Sequence, residues 1–242
     1  MPVAMMTGGA SWFSRETTKL LLADGWNVVL GEINEGNLGE VLREVDDRRV
    51  TGERLDVTDL QAVKAFADKI YVEHGSIDAL VNIAGGTNYL QMQRLPFHEM
   101  APENWDLVLK PNLYGTLNCC HCVLPHMIAG KRGSIVNISS GMGLRGSARM
   151  TTYSAAKAAI IGFTRALCQE VGQYNIRVNS IAPGSAESRW QPDVTKGGER
   201  LPPLGTRTSA RDVANAIHFL ISDKSSHMTG ACLDVSGGTS LH

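Results

Sequence analysis

Tyr153 and Lys157 are the pair of side chains whose types and spacing most directly suggest chemistry. They stand four residues apart in a segment with a helical pattern, and residues at i and i+4 share one face of a helix. A phenol is normally protonated at neutral pH, with a pKa of about 10. A nearby ammonium favours the ionised form and lowers that pKa. We therefore expect Tyr153 to exchange protons with an alcohol or a carbonyl group.

A predicted strand and a pair of hydroxyls precede this helix. The run Ser134–Ile138 has the pattern of a buried strand, stops at Ser139 and Ser140, and is followed by a glycine-rich loop. Ser140 could hydrogen-bond a substrate oxygen while the tyrosine gives or takes the proton. A Tyr-x-x-x-Lys spacing is also common on helices without a catalytic role. Its position after a Ser-Ser strand end favours the chemical interpretation.

A second glycine-rich turn follows the first predicted strand. It reads Thr7-Gly8-Gly9-Ala10-Ser11-Trp12-Phe13-Ser14-Arg15. A loop of this kind between a first strand and a first helix lets backbone N–H groups approach a pyrophosphate. The turn therefore suggests a dinucleotide site.

The end of the second predicted strand indicates which dinucleotide would bind. Glu32 lies about 20 residues beyond the turn, where dinucleotide-binding folds hold the ribose hydroxyls. A carboxylate there repels a 2′-phosphate, and neither Ser11 nor Ile33 supplies a basic charge. NAD(H) is thus favoured over NADP(H), although a carboxylate at a strand end can also be an ordinary solvated residue.

Together these motifs resemble the short-chain dehydrogenases/reductases, and the resemblance covers nearly all of the 242 residues. It implies that Tyr153 is the general acid/base and that Lys157 lowers its pKa and orients the ribose. It also implies that Ser140 polarises the substrate oxygen and that Asn112 anchors a water that relays protons. The family's spacing from serine to tyrosine points to Ser140 rather than to Ser139.

The sequence departs from the family pattern in its first turn and after its fourth predicted strand. The family writes its first turn TGxxxGxG, but Trp12 and Ser14 stand at the second and third glycine positions. We expect the Ser14 hydroxyl to be able to bind a phosphate oxygen. The indole of Trp12 could crowd the cofactor, reshape its pocket or turn away over the substrate mouth. The family's NNAG reads Asn82-Ile83-Ala84-Gly85 here, with Ile83 as the departure.

The resemblance further implies a set of contacts with NAD. Asp56-Val57-Thr58 resembles the adenine-contacting segment, although Asp56 could also cap the helix that begins near Asp59. The segment Asn179–Gly184 resembles the turn against the nicotinamide, and Ser188 replaces the threonine that usually follows it. The implied contacts are Thr7, Gly8, Ser11, Trp12, Phe13, Ser14, Glu32, Ile33, Asp56, Val57, Asn82, Ala84, Gly85, Tyr153, Lys157, Pro183, Gly184 and Ser188.

Short apolar runs alternate with longer amphipathic segments along the whole chain. This alternation predicts an α/β fold with a doubly wound, Rossmann-type parallel sheet of about seven strands and helices on both faces. We expect one domain, 1–242, with the polar Gly- and Pro-containing segment 185–203 as a substrate lid. The predicted strands are Val3–Thr7, Asn27–Gly31, Arg49–Leu55, Ala79–Ile83, Ser134–Ile138, Arg177–Ile181 and Cys232–Val235. Helices are predicted at Leu60–His74, Trp105–Ile128 and Ala210–Ser222, with a distortion at Pro111.

Composition excludes several classes of protein. A formal net charge of -1 without a basic run does not indicate nucleic-acid binding. No apolar run approaches the roughly 20 residues of a membrane span, and the N-terminus lacks the basic region of a signal peptide. The five cysteines do not form a disulfide pattern, so a cytoplasmic location is expected. Cys119, Cys122 and His126 share a helix face, but they lack a fourth ligand and no metal is expected.

We therefore expect an NAD(H)-dependent oxidoreductase that acts on a secondary alcohol or ketone and, by the resemblance, forms a homotetramer or homodimer. One alternative is a 3-oxoacyl-thioester reductase of the same family, which would generally use NADPH. Another is a non-catalytic binding protein with this fold, suggested by Trp12 and Ser14. A weaker hypothesis is that an arginine near the substrate mouth meets an acidic or phenolate-bearing substrate. The candidates are Arg94, Arg145, Arg149 and Arg189.

Overall fold

In the computed structural model, which describes residues 1–87, 94–185 and 201–240, seven parallel strands form one sheet. Their order across the sheet is β3-β2-β1-β4-β5-β6-β7. The strands are β1 (Val3–Thr7), β2 (Asn27–Glu32), β3 (Val50–Arg54), β4 (Ala79–Asn82), β5 (Gly133–Ile138), β6 (Ile176–Pro183) and β7 (Cys232–Val235). The central strands are buried along their length, as expected when helices cover both faces of a parallel sheet.

Eight α-helices lie in the described part of the chain. They are α1 (Trp12–Ala23), α2 (Glu35–Val45), α3 (Leu60–His74), α4 (Glu103–Leu109), α5 (Gly115–Gly130), α6 (Gly141–Arg145), α7 (Thr151–Val171) and α8 (Ala210–Ile221). One core cluster joins the sheet to α3, α5 and α7 through residues such as Phe66, Val123 and Leu167. A second joins the other face to α1, α2 and α8 through Leu21, Leu38 and Ile217. The doubly wound fold is confirmed.

The strand order places a crevice at the carboxyl ends of β1 and β4. The chain runs from β1 outward through β2 to β3 and then returns to β4 on the other side of β1. Ligands bind in doubly wound sheets at such a switch point. The Thr7 hydroxyl accepts hydrogen bonds from the Ile83 and Ala84 N–H groups, each 3.2 Å long, and so holds the two strand ends together.

The predicted helix 105–128 is interrupted where the proline suggested. The helix α4 ends at Leu109, a single π turn spans Lys110–Tyr114, and α5 continues from Gly115. Pro111 has no N–H to donate, and the ladder resumes when the Gly115 N–H donates to the Lys110 carbonyl. Such π turns are frequent at functional sites.

No helix in the described ranges is both long and apolar enough to cross a membrane.

Candidate functional site

Tyr153, Lys157 and Ser140 meet at the carboxyl end of β5. Tyr153 and Lys157 lie in the first two turns of α7. The Lys157 side chain is buried, its Nζ donates to the Ile138 carbonyl at 2.9 Å, and it lies 5.7 Å from the centroid of the Tyr153 ring. Ser140 caps α6 by accepting from the Met142 N–H at 3.2 Å, and its side chain also hydrogen-bonds Tyr153. The serine, tyrosine and lysine are thus close together.

The pKa values in this cluster are set mainly by burial. Burial raises the pKa of Tyr153, and the hydrogen bond from Ser140 opposes that rise only in part. This direction reverses the expectation that the lysine lowers the tyrosine's pKa. Burial also lowers the pKa of Lys157 to about 8, because taking a charge out of water disfavours the charged form.

Ser139 fixes the position of α7. Its hydroxyl donates to the Lys157 carbonyl at 2.7 Å, so it binds the backbone of the helix and is buried beneath the site. Gly143 also allows α7 to approach, since a Cβ there would lie 2.7 Å from the Lys157 carbonyl carbon. The two contacts explain why a hydroxyl and a small residue stand at these positions.

Asn112 lies in the π turn and binds a neighbouring loop. Its Oδ1 accepts from the Gly86 N–H at 2.7 Å, and its Nδ2 donates to the Gly86 carbonyl at 3.0 Å and to the Val108 carbonyl at 3.0 Å. The side chain is fully buried. Both amide hydrogens are therefore used within the protein. A Cβ at Gly85 would lie 2.6 Å from the Asn112 Oδ1, so the loop needs glycine there.

A groove runs over the first turn and along the ends of β2 and β3. Its walls include Gly8, Glu32 and the pair Asp56-Val57, and it encloses about 150 Å³. Gly8 has φ +66, and a Cβ on it would lie 2.9 Å from the Ala84 nitrogen. Only glycine provides such a cradle without strain. The groove is lined by Gly8, Ser11, Glu32, Ile33, Leu55, Asp56, Val57, Ile83, Ala84, Gly85 and Pro111.

Glu32 is the last residue of β2 and lines the groove. The carboxylate is largely buried and accepts from the Ala10 and Asn34 N–H groups, each at 3.1 Å. Arg15 lies close by, donating to the Ala10 carbonyl at 3.5 Å, but its guanidinium is paired with Glu44 and Glu40.

Four of the residues that were expected to contact the cofactor do not line this groove. They do not line the larger cavity beside it, described below, either. The indole of Trp12 is turned toward solvent and is 46% exposed. The Ser14 hydroxyl donates to the Gly8 carbonyl at 2.7 Å and lies 2.9 Å from the Ser11 hydroxyl, so it stabilises the turn itself. Thr7 joins the ends of β1 and β4. Asn82 is buried in the sheet, where its Nδ2 donates to Asn137.

Asp56 does not cap α3, which was one of the two roles expected for it. The helix α3 is capped by Asp59, which accepts from the Gln61 and Ala62 N–H groups. Asp56 instead accepts from the Thr58 N–H and hydroxyl, and it lines the groove. It is therefore free of the capping role.

A larger cavity of about 620 Å³ opens from the groove toward Tyr153. This is the usual size of a small-molecule site. Ser11, Ile83 and Gly85 line both spaces, which makes them one continuous cleft. The wall of the larger cavity includes Phe13, Ser140, Tyr153, Lys157, Pro183 and Gly184, and also Gly86, Met142, Ser147, Met150 and Ser185. Ser188, Arg189 and most of the segment 185–203, which was expected to form a lid, lie outside the described residues.

Sequence reasoning missed several wall residues. Ile83 entered only as a departure from a motif, yet it faces both spaces, and Pro111 faces the groove.

The cysteines and histidine on α5 pack within the protein. Cys119 and Cys122 belong to a core cluster, and burial raises the pKa of the Cys119 thiol well above its usual value. His126 hydrogen-bonds Asp68 at 2.9 Å and stacks on Tyr71. Each of these side chains therefore has a structural contact that accounts for its presence.

The sequence matches the family described as short chain dehydrogenase over residues 2–198. The chain belongs to this family. The 3-oxoacyl-acyl-carrier-protein reductase of Thermotoga maritima is 36% identical over 242 residues, covering 98% of this chain and 96% of that protein. The cis-4-hydroxycyclohexanecarboxylate dehydrogenase of Sinomonas cyclohexanicum is 37% identical over 242 residues, covering 98% and 95%. The crystal structure of an NAD⁺-bound xylitol dehydrogenase matches with a TM-score of 0.89 and 27% identity, covering 98% of each chain.

The buried lysine predicts a pH-dependent stability for this short-chain dehydrogenase. The Lys157 pKa is about 8 in the folded protein and 10.5 in an unperturbed chain. Between these pH values the unfolded chain binds a proton at Lys157 that the folded protein lacks. The free energy of unfolding therefore increases as pH rises. The full contribution is on the order of 3 kcal/mol. Urea unfolding at several pH values should show this rise in the wild type and not in Lys157→Met. Parallel pH curves for the two proteins would contradict it.

The contact between Asn112 and Gly86 predicts a specific effect on cofactor binding. Asn112→Ala leaves the Gly86 N–H without its partner, which costs about 1–3 kcal/mol of stability, and loosens the wall that both spaces share. We expect weaker NADH binding in a fluorescence titration.

Asn179→Ala is the matched control. Asn179 also forms a two-point contact with backbone, donating to the Met228 carbonyl at 2.8 Å and accepting from the Ala231 N–H at 3.0 Å. It lines neither space. We expect similar destabilisation with unchanged NADH affinity. Equal losses of affinity in the two variants would assign the effect to general loosening of the fold.

Proposed function

We propose that this short-chain dehydrogenase transfers a hydride between NAD(H) and a secondary alcohol or ketone. The observation that carries the proposal is the single cleft with Glu32 at one end and Tyr153, Ser140 and Lys157 at the other. The fit of a dinucleotide is supported by the glycine cradle at Gly8 and by the outward position of Trp12. The nicotinamide would supply or accept the hydride, and the protein supplies position and proton transfer.

Tyr153 is proposed as the group that handles the proton. Because burial raises its pKa, the phenol is protonated at neutral pH and is suited to give its proton to a ketone oxygen. The Ser140 hydroxyl, which already bonds Tyr153, would hold the same oxygen and polarise it. The reverse reaction requires Tyr153 to lose its proton first, so alcohol oxidation gains from a higher pH.

Lys157 is proposed to stabilise the phenolate left by this proton transfer, and Asn112 is proposed to fix the geometry of the backbone beside it. A protonated Lys157, 5.7 Å from the tyrosine ring, favours the phenolate that proton transfer leaves, and it would orient the ribose. Both amide hydrogens of Asn112 are used by Gly86 and Val108. A relay water at this position would therefore be held by carbonyl groups of the π turn, with Asn112 fixing the geometry.

A preference for NAD(H) is part of the proposal. The Glu32 carboxylate lines the groove and would repel the 2′-phosphate of NADP(H). Arg15 follows the first turn, and its pairing with Glu40 and Glu44 reduces its attraction for a phosphate.

A 3-oxoacyl-thioester reductase is the second candidate. It is favoured by the relatives named 3-oxoacyl-acyl-carrier-protein reductase, at 36% and 40% identity, whereas another relative is named for a hydroxycyclohexane substrate. Turnover of an acetoacetyl thioester, measured with NADH and with NADPH, separates the two candidates. The third alternative, a non-catalytic binding protein, rested on Trp12 and Ser14, and neither side chain lies in the cleft.

We also propose that the protein is cytoplasmic and assembles as a homotetramer or homodimer. All five cysteines are free thiols, which suits a reducing compartment. Leu107 and Tyr114 leave large apolar surfaces exposed near the junction of α4 and α5, as subunit contacts commonly do. Light scattering coupled to size exclusion would measure the assembly.

Tyr153→Phe tests the proton-transfer role. The substitution removes only the hydroxyl, and general acid–base catalysis contributes about 10²–10⁴-fold. We expect kcat for ketone reduction to fall by about that factor while NADH still binds. The assay follows the absorbance of the reduced nicotinamide. Full turnover by Tyr153→Phe would remove the assignment.

Glu32→Ser tests the cofactor preference. The wild type should show a higher kcat/KM with NADH than with NADPH, and the serine variant should reduce that ratio because the repelling carboxylate is gone. The matched control is Glu35→Ser in the exposed first turn of α2, which lines neither space. A wild type that prefers NADPH would overturn this part of the proposal and favour the second candidate.

A further inference from the structure

The structure separates the four arginines that the sequence places near the substrate mouth. Arg94 and Arg149 line the larger cavity, Arg145 at the end of α6 does not, and Arg189 lies outside the described residues. Arg94 lies on the segment before α4, whereas Arg149 lies on the loop before α7. Two separate parts of the chain thus bring a guanidinium to the same cavity.

The described wall of this cavity carries charge of one sign. Arg94, Arg149 and Lys157 contribute three cationic side chains, and no aspartate or glutamate is among its described lining residues. Neither Arg94 nor Arg149 has a carboxylate of the described chain within 4.0 Å. The chain as a whole has a formal net charge of -1, whereas the described wall of this cavity is positively charged.

Arg149 is close in sequence to the residue proposed to handle the proton. It stands four residues before Tyr153, next to Met150 at the start of α7, and all three residues line the larger cavity. The Arg149 guanidinium therefore belongs to the same cavity as the group that would contact the substrate oxygen.

Arg149 also has a backbone conformation that is unusual for its type. Its φ is +60, in the left-handed region that disfavours a bulky side chain and suits glycine or asparagine. Gly146, three residues earlier, has φ +72 and satisfies the same requirement with glycine.

We infer that the substrate carries an anionic group, a carboxylate or a phosphate, and that Arg149 and Arg94 bind it while Tyr153 acts on the hydroxyl or keto oxygen. The inference rests on the proposed function and adds the substrate class. Guanidinium groups bind carboxylate and phosphate oxygens through paired, charge-assisted hydrogen bonds. The wall described above offers these groups and nothing that repels an anion.

The first test compares charged ketones with their neutral counterparts. Levulinate is paired with methyl levulinate, and dihydroxyacetone phosphate with dihydroxyacetone, so that the two pairs distinguish carboxylate from phosphate. We expect kcat/KM with NADH to favour the anion of at least one pair by about tenfold or more, since hydrogen bonds to charged groups are the strong ones. The advantage should shrink in high salt, because both arginines are exposed to solvent.

The variants localise the effect. Arg149→Gly removes the guanidinium and suits φ +60, so its Tm should not fall, and the preference for the anion should fall toward one. Arg94→Ala should reduce the same preference, and Arg149→Lys should recover part of it. Arg145→Ala is the matched control and should keep the wild-type preference. Equal kcat/KM for charged and neutral ketones, or a preference unchanged in both Arg149→Gly and Arg94→Ala, would overturn the inference.

A binding measurement decides the inference even without turnover. The protein is titrated calorimetrically with levulinate and with methyl levulinate, and with dihydroxyacetone phosphate and dihydroxyacetone, in the presence and absence of NAD⁺. Tighter binding of an anion, lost in Arg149→Gly and kept in Arg145→Ala, supports it. Equal affinities within both pairs contradict it. Absence of any turnover together with tight anion binding would instead refute the proposed function alone.

Discussion

The hydrogen bond from the Lys157 ammonium to the Ile138 carbonyl is the interaction on which the site depends. A buried cation must be hydrogen-bonded, and this bond of 2.9 Å ties α7 to the end of β5. Ser139 reinforces the tie by donating to the Lys157 carbonyl, and Gly143 lets the helix come close. With α7 fixed, Tyr153 lies within hydrogen-bonding reach of Ser140. The burial that this packing requires is also what shifts both pKa values.

A second constraint joins this cluster to the groove over the first turn. The topology places the ends of β1 and β4 at the switch point, and Thr7 holds them together. The loop beyond β4 is then fixed by Asn112 from the π turn. The π turn that contains Pro111 positions Asn112, and Asn112 packs against Gly85 and Gly86. These contacts form part of the wall between the groove and the larger cavity. Contacts with the backbone therefore link the Tyr153 cluster to the groove.

Much of this arrangement was predictable from the sequence because local patterns determine it. Alternating apolar runs gave the seven strands to within two residues at each end, and the Tyr-Lys spacing requires a shared helix face. The position of Glu32 at the end of β2 was predictable because a helix and a strand set its distance from the first turn.

What could not be predicted depends on tertiary contacts. Which way Asn82 faces depends on Asn137 in the neighbouring strand, and the role of Ser14 depends on the Gly8 carbonyl behind it. The direction of the Tyr153 pKa shift depends on burial, which the spacing of two residues does not reveal. That Arg94 and Arg149 line the larger cavity and Arg145 does not could likewise be seen only from the shape of the cavity.

A crystal structure of the protein with NADH and a ketone would test the central claim most directly. The account predicts that the nicotinamide lies beside Tyr153 and that the ketone oxygen is within about 3 Å of the Tyr153 and Ser140 hydroxyls, the distance of a hydrogen bond. The indole of Trp12 should remain outside the cleft. A dinucleotide bound elsewhere, or an indole in the place of the nicotinamide, would contradict the account.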